Sequence, residues 1–257
     1  IIRAARVAAT VRRAAGYGVR VPPEVTVDFP AVMERMRRLR AKISLADSVQ
    51  RLQGAGVEVF FGQGRFIAQD AVEVDGRSAL SAVDRRRQAG EPGGEANAAK
   101  RLRFSRAVIA TGGRAEAPPI PGLAEAGFLT NETVFQLTVL PPRLVIIGGG
   151  PIGCEMAQTF RRFGSAVTLI HNAGHLLNRE DADAADIVQR TFVREGVQLL
   201  LNAKTTRVEV RDGRKIVVVD TQGRSLEVAC DAILVAAGRL PNLEGLALEA
   251  AGVRYDK

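Results

Sequence analysis

Residues 144 to 155 read LVIIGGGPIGCE, and the fold follows from how they are read. Leu144 to Ile147 is a short apolar run rich in β-branched residues, as in a strand buried on both faces. Gly148, Gly150 and Gly153 then fall on the G-x-G-x-x-G spacing, with Gly149 inside the turn. Each spaced glycine has its own physical task. Gly148 permits a tight turn out of the strand. Gly150 has no Cβ, so a pyrophosphate can approach the backbone. Gly153 lets the next helix pack close to the strand. Pro151 and Ile152 open that helix, whose N-terminal amides and dipole favour an anion.

The flanks support a ligand more than a bare glycine-rich turn. Ile152, Met156 and Phe160 recur at helical spacing, Phe163 lies near the end, and Gly164 stops the helix. Ala166 to Ile170 is a second apolar strand, which closes a β-α-β unit. Residues 148 to 153 are therefore the candidate dinucleotide-binding turn.

Composition narrows the class. The chain has 257 residues, enough for one large or two ordinary domains, and its hydrophobic fraction of 46% is that of a globular protein. No apolar run approaches the ~18 residues of a membrane span. Arg3, Arg6, Arg12 and Arg13 interrupt any signal-peptide core, and the first residue is Ile, so a piece of a longer chain is expected. Cys154 and Cys230 have no metal or redox spacing and read as buried thiols, which points to the cytoplasm. The net charge of +8 raises nucleic acid as a partner. The charges are dispersed, however. Arg35, Arg37, Arg38, Arg40 and Lys42 lie opposite an apolar stripe of Val32, Met36, Leu39 and Ile43, and no aromatics interleave to stack on bases. No nucleic acid and no membrane partner is expected.

Taken in order, residues 1 to 15 read as a helix, and Asp28 caps a long helix running to about Gln53. Val57 to Phe61, Ala71 to Val74 and Leu102 to Ala110 read as strands, with residues 77 to 100 as a flexible insertion. Asn131 to Gln136 reads as a short helix, and Pro141-Pro142 leads into the glycine motif. A helix follows over Asp181 to Glu195. Val197 to Leu201, Thr205 to Val210, Lys215 to Val219 and Ser225 to Ala229 read as antiparallel strands, with Asp212-Gly213 as a hairpin turn. Ala232 to Ala236 is a buried strand.

Three segments in series resemble the flavoprotein disulfide reductases, class I of the pyridine nucleotide-disulfide oxidoreductases. AVIATGG, Ala107 to Gly113, is similar to that family's flavin-contacting strand and turn. IIGGGPIGCEMA, Ile146 to Ala157, is similar to its nicotinamide-dinucleotide motif, and ILVAAGRLPN, Ile233 to Asn242, to the end of its nicotinamide domain. The wording of DFPAVMERMRRLRAKIS and LTNETVFQL is closest to mercuric-reductase-like and dihydrolipoamide-dehydrogenase-like members. The resemblance implies an α/β fold with two Rossmann-like, three-layer nucleotide-binding domains, each with an antiparallel excursion. It divides the chain into a partial FAD-binding domain over 1 to 140, an NAD(P)-binding domain over 141 to 245, and a returning segment over 246 to 257.

It also implies FAD and NAD(P)H as cofactors. Thr111, Gly112, Gly113 and Gly64 would touch FAD. Gly148, Gly149, Gly150, Pro151, Ile152 and Gly153 would hold the coenzyme pyrophosphate. Glu155 would lie near the nicotinamide, with a plain helix-surface carboxylate as the alternative, and Gly238 would make a backbone contact to the coenzyme. Arg239, Pro241 and Asn242 read as structural. The family's FAD fingerprint, redox cysteine pair and catalytic histidine have no match here, so no catalytic residue is named, and this stretch alone is expected to be inactive. The implied enzyme passes hydride from NAD(P)H to FAD and on to a disulfide, dithiol or metal-thiolate substrate, or runs in reverse, as a homodimer. An FAD-dependent oxidase or quinone reductase and a non-catalytic nucleotide-sensing module are the rival readings.

Coenzyme choice turns on the end of the second strand. His171 stands where an Asp or Glu would select NAD, and Asn172 follows it. Without a carboxylate there, His171 reads as the residue facing the ribose, and a mild preference for NADPH, or use of both coenzymes, is expected. Arg179 joins it only if the loop folds back.

Overall fold

The computed structural model describes residues 1–22, 24–75 and 99–256. Most of the expected insertion at 77–100 lies outside the described residues. Two compact units emerge, one from Ile1–Ala41 with Arg114–Leu240, the other from Lys42–Gly113 with Pro241–Lys257. This division in space cuts across the linear segments 1–140 and 141–245, because the N-terminal helices pack with the glycine-motif unit.

The strands, in chain order, are β1 Gln63–Ala68, β2 Ala71–Asp75, β3 Lys100–Arg103, β4 Gly113–Ala115, β5 Arg143–Ile147, β6 Ala166–Ile170, β7 Gln198–Leu200, β8 Ala203–Arg211, β9 Arg214–Thr221, β10 Arg224–Cys230, β11 Ala232–Val235 and β12 Arg239–Pro241.

The larger unit is built on a parallel sheet in the order β11-β5-β6-β7. Leu144 pairs with Val167 and Ile147 with Ile170 across β5 and β6. Side chains of β5 alternate between two cores. Leu144 and Ile146 pack with Ala157, Phe160 and Phe163 of the helix Pro151–Phe163. Val145 and Ile147 pack on the other face with Val208, Val217 and Val219 of an antiparallel sheet, order β10-β9-β8. Helices, parallel sheet and antiparallel sheet thus make three layers. The N-terminal helices Ile2–Arg12 and Phe29–Ala46 extend the helical layer through buried Ala5, Phe29 and Met33. Phe29 sits against both Phe160 and Phe163, with ring centroids 6.1 and 5.7 Å away.

The smaller unit holds an antiparallel sheet in the order β1-β2-β3. Phe66 of β1 meets Phe104 edge to face at 6.1 Å, and its amide donates to Leu246 O at 2.8 Å.

Several elements differ from their sequence reading. Val197–Leu201 is not an antiparallel partner of the β8 segment; β7 adds in parallel to β6, as the Ala182–Glu195 crossover requires. The long helix stops at Ala46 because Ser48 starts a new one, its Oγ accepting the Arg51 amide at 3.3 Å. Val57–Phe61 forms no strand among the described residues, and of the expected strand Leu102 to Ala110 only Leu102 and Arg103 join the ladder, within β3. The basic helix buries Phe29, Met33 and Met36, whereas Leu39 and Ile43 are exposed. Asp212 and Gly213 both take positive φ, 50° and 74°, as a two-residue hairpin turn needs.

Candidate nucleotide-binding turn

β5 delivers the chain to Gly148 with φ 117°, and a Cβ there would overlap the Ala236 carbonyl at the end of β11. Gly153, two residues into the helix, is closed off in the same way by the Gly148 carbonyl. Between them Gly150 is half-buried, and nothing lies within 4 Å of where its Cβ would stand. Two glycines are therefore required by the protein's own packing, while the third leaves open space. Pro151 takes the first helical position, where the lost N–H has no intrahelical use. The amides of Ile152 and Gly153 fall in the first turn, where they have no intrahelical acceptor. Backbone donors, a helix dipole and an uncovered Gly150 form a donor set suited to a diphosphate.

Gly149 faces inward. Its N–H donates to His171 Nδ1 at 3.2 Å. Its carbonyl accepts from the Leu177 amide at 2.9 Å and from Cys154 Sγ at 3.4 Å. Burial pushes the Cys154 thiol up to about 12, so it remains a proton donor to Gly149.

His171 does not stand open at the strand end. The residue is only 9% exposed, with its amide donating to Leu200 O and its carbonyl accepting from Ala203 N. Burial pulls its pKa below the ordinary histidine value; the nearby Asn178 side chain opposes this, and His175 adds to it. Nε2 is buried without a hydrogen-bond partner. A strand-end position predicts exposure, so this burial was not legible from the sequence.

The loop after His171 folds back onto the turn. Leu176 is fully buried, its amide donating to Gln189 Oε1 at 3.3 Å. Leu177 takes φ 52° and, besides its bond to Gly149, accepts the Glu180 amide at 2.8 Å. Arg179 lies inside that turn, exposed. Glu155 is exposed on the helix, one residue past Cys154.

Gly238 follows β11, and a Cβ on it would meet Glu116 Oε2 at 2.5 Å. Glu116 also donates its amide to Gly238 O at 3.0 Å. Glu116 precedes Pro118, Pro119 and Pro121, and no spacing in the sequence links it to Gly238.

The smaller unit contains a separate cavity of about 200 Å³, lined by Gly64, Phe66, Val72, Val108, Ile109 and Thr111 among others. That volume is below the usual range of a complete ligand pocket. Thr111 Oγ1 donates to Asn242 O at 2.8 Å, and Asn242 Nδ2 returns a bond to Thr111 O at 3.0 Å. Gly112 O accepts the Asn242 amide. Gly113 begins β4. Asn242 thus pins the small-residue turn, as its structural reading expects.

The family model for pyridine nucleotide-disulphide oxidoreductase matches residues 5–257. A mercuric reductase from Bacillus cereus is 30% identical over 227 residues, covering 88% of this chain and 32% of that protein. A dihydrolipoyl dehydrogenase from Bacillus subtilis (strain 168) is 28% identical over 99% of this chain and 51% of its own length. The crystal structure of LpdA from Mycobacterium tuberculosis aligns with a TM-score of 0.77 and 25% identity, covering 100% of this chain and 51% of that one. The chain therefore spans about a third of the mercuric reductase and about half of the other two. It belongs to the pyridine nucleotide-disulphide oxidoreductase family.

Proposed function

We propose that residues 148–153 bind the diphosphate of NAD(P)H, and that the chain serves a flavoprotein passing hydride from NAD(P)H to FAD and on to a disulfide or metal-thiolate acceptor. The observation that carries the reading is the contrast within the glycine turn: Gly148 and Gly153 are closed by backbone, while Gly150 is open. A turn needed only for packing has no use for the third glycine.

In this reading the cofactors supply the hydride chemistry and the protein supplies position and electrostatics. First-turn amides of the Pro151–Phe163 helix hold the diphosphate. Glu155 and the Gly238 backbone lie on the nicotinamide side. Gly64, Thr111, Gly112 and Gly113 hold part of the flavin nucleotide; Thr111, whose hydroxyl hydrogen goes to Asn242, offers a lone pair there. The whole enzyme works as a homodimer.

A mild NADPH preference fits the adenosine side. No carboxylate follows β6, and the folded-back loop brings exposed Arg179 to within two residues of the Leu177 bond to Gly149. Calorimetric titration with NADPH and NADH tests the proposal. Binding of both, with NADPH somewhat tighter, is expected; no binding of either overturns it.

A further inference from the structure

We propose that His171 is a positioning residue that latches the glycine turn in its coenzyme-binding form only while its ring is neutral, so that acidification loosens the coenzyme. The inference rests on the reading of 148–153 as the coenzyme turn.

The geometry fixes the protonation state. Nδ1 accepts the Gly149 N–H at 3.2 Å, so the neutral ring carries its hydrogen on Nε2. A second proton would set N–H against N–H across that distance. It would also bury a cation that only the Asn178 side chain near the ring favours, against the cost of desolvation. The Gly149 peptide cannot turn away freely. Its carbonyl is held by Leu177 and Cys154, and its Cα is packed so closely that a Cβ would lie 2.7 Å from His171 Cγ and 2.9 Å from Leu176 Cδ2. Movement therefore passes to the adjacent Gly150, the open position of the turn.

The surroundings leave His171 to set the response. The folded-back loop presents His175, which opposes a second positive charge, and the Asn178 side chain, which favours it but less than burial opposes it. The helix presents the Cys154 thiol, which stays protonated to about pH 12. β7 and β8 meet the residue through the Leu200 carbonyl and the Ala203 amide. Burial holds the ring neutral to below the ordinary histidine range. A charged ring would also attract a diphosphate through space, so the sign of the pH effect separates latch from cation.

The test is NAD⁺ binding to the full chain, since its diphosphate keeps its charge across the range, read from about pH 8 to about pH 5. Wild type should weaken about tenfold or more on acidification. His171→Asn, whose Oδ1 replaces Nδ1 as an acceptor that does not titrate, should bind within about threefold of wild type at the upper pH and show a flat profile. His171→Leu should bind weakly throughout. Because His171 and His175 are the chain's 2 histidines, nitrogen-15 NMR can follow them individually. His171 should show the Nε2–H tautomer, and the Gly149 amide shift should follow its titration. Affinity that rises on acidification, a pH profile shared by His171→Asn, or an Nδ1–H tautomer would each overturn the latch. If NAD⁺ binds at no pH, the coenzyme reading falls separately, and the latch is judged on whether the Gly149 amide follows His171.

Discussion

Gly153 sits so near the carbonyl oxygen of Gly148 that any Cβ at position 153 would overlap it. The contact joins the first turn of the helix to the end of β5 and fixes the angle at which the helix leaves the sheet. Gly153→Ala must push helix and strand apart, and overpacking of this kind costs about 2–3 kcal/mol. The thermal midpoint should fall by several degrees in differential scanning calorimetry. A midpoint equal to wild type would show that the helix moves aside at no cost.

Gly149 and His171 should behave as one unit. Gly149→Ala places a methyl 2.7 Å from the ring and should destabilise by about 1–2 kcal/mol. With His171→Ala already made, that clash is gone. A double-mutant cycle from urea melts should therefore give a coupling of about 1 kcal/mol or more. Additive effects would place the ring elsewhere.

Arg162 and Glu195 join the Pro151–Phe163 and Ala182–Glu195 helices by two hydrogen bonds, 2.8 and 2.6 Å. Their side chains are only 14% and 16% exposed, so removing one leaves the other poorly solvated. Glu195→Gln should cost about 2 kcal/mol, and Arg162→Leu with Glu195→Leu less than Glu195→Gln alone. Equal losses would mark the pair as no more than a surface contact.

Acid sensitivity in the smaller unit should centre on Glu73. The Arg65 and Arg101 guanidiniums hold its carboxyl below the ordinary range. A carboxyl depressed in the folded state stabilises above its unfolded value, about pH 4, and loses that contribution as pH falls through the folded value. Urea midpoints of wild type and Glu73→Gln should therefore differ near neutrality and converge in acid. A gap that persists below about pH 3 would assign the effect to packing.

How much of this was legible in the sequence follows from how local each cause is. β5, the glycine turn, its helix and β6 were readable because apolar period, proline and glycine act within a few residues. β6 ends at Ile170, as read, and Asp212-Gly213 makes its hairpin. The direction in which β7 pairs was hidden, because parallel or antiparallel addition is decided by the crossover and not by the strand. His171 was legible as a position but not as a buried ring, since the loop that covers it is held by Leu176, Leu177 and Gln189, contacts no spacing reveals. The clamp between Thr111 and Asn242 joins residues 131 positions apart in the chain and was hidden for the same reason.

In the proposed function the turn's open side, at Gly150, receives the coenzyme diphosphate. A Cβ at Gly150 meets nothing within 4 Å, so the fold of Gly150→Val should survive, while a branched side chain fills the space a phosphate needs. Calorimetric titration of wild type and Gly150→Val with NADPH, paired with their thermal midpoints, tests this most directly. The midpoint should be unchanged and binding weaker by at least ~2 kcal/mol, about thirtyfold. Equal affinity in the two proteins would contradict it.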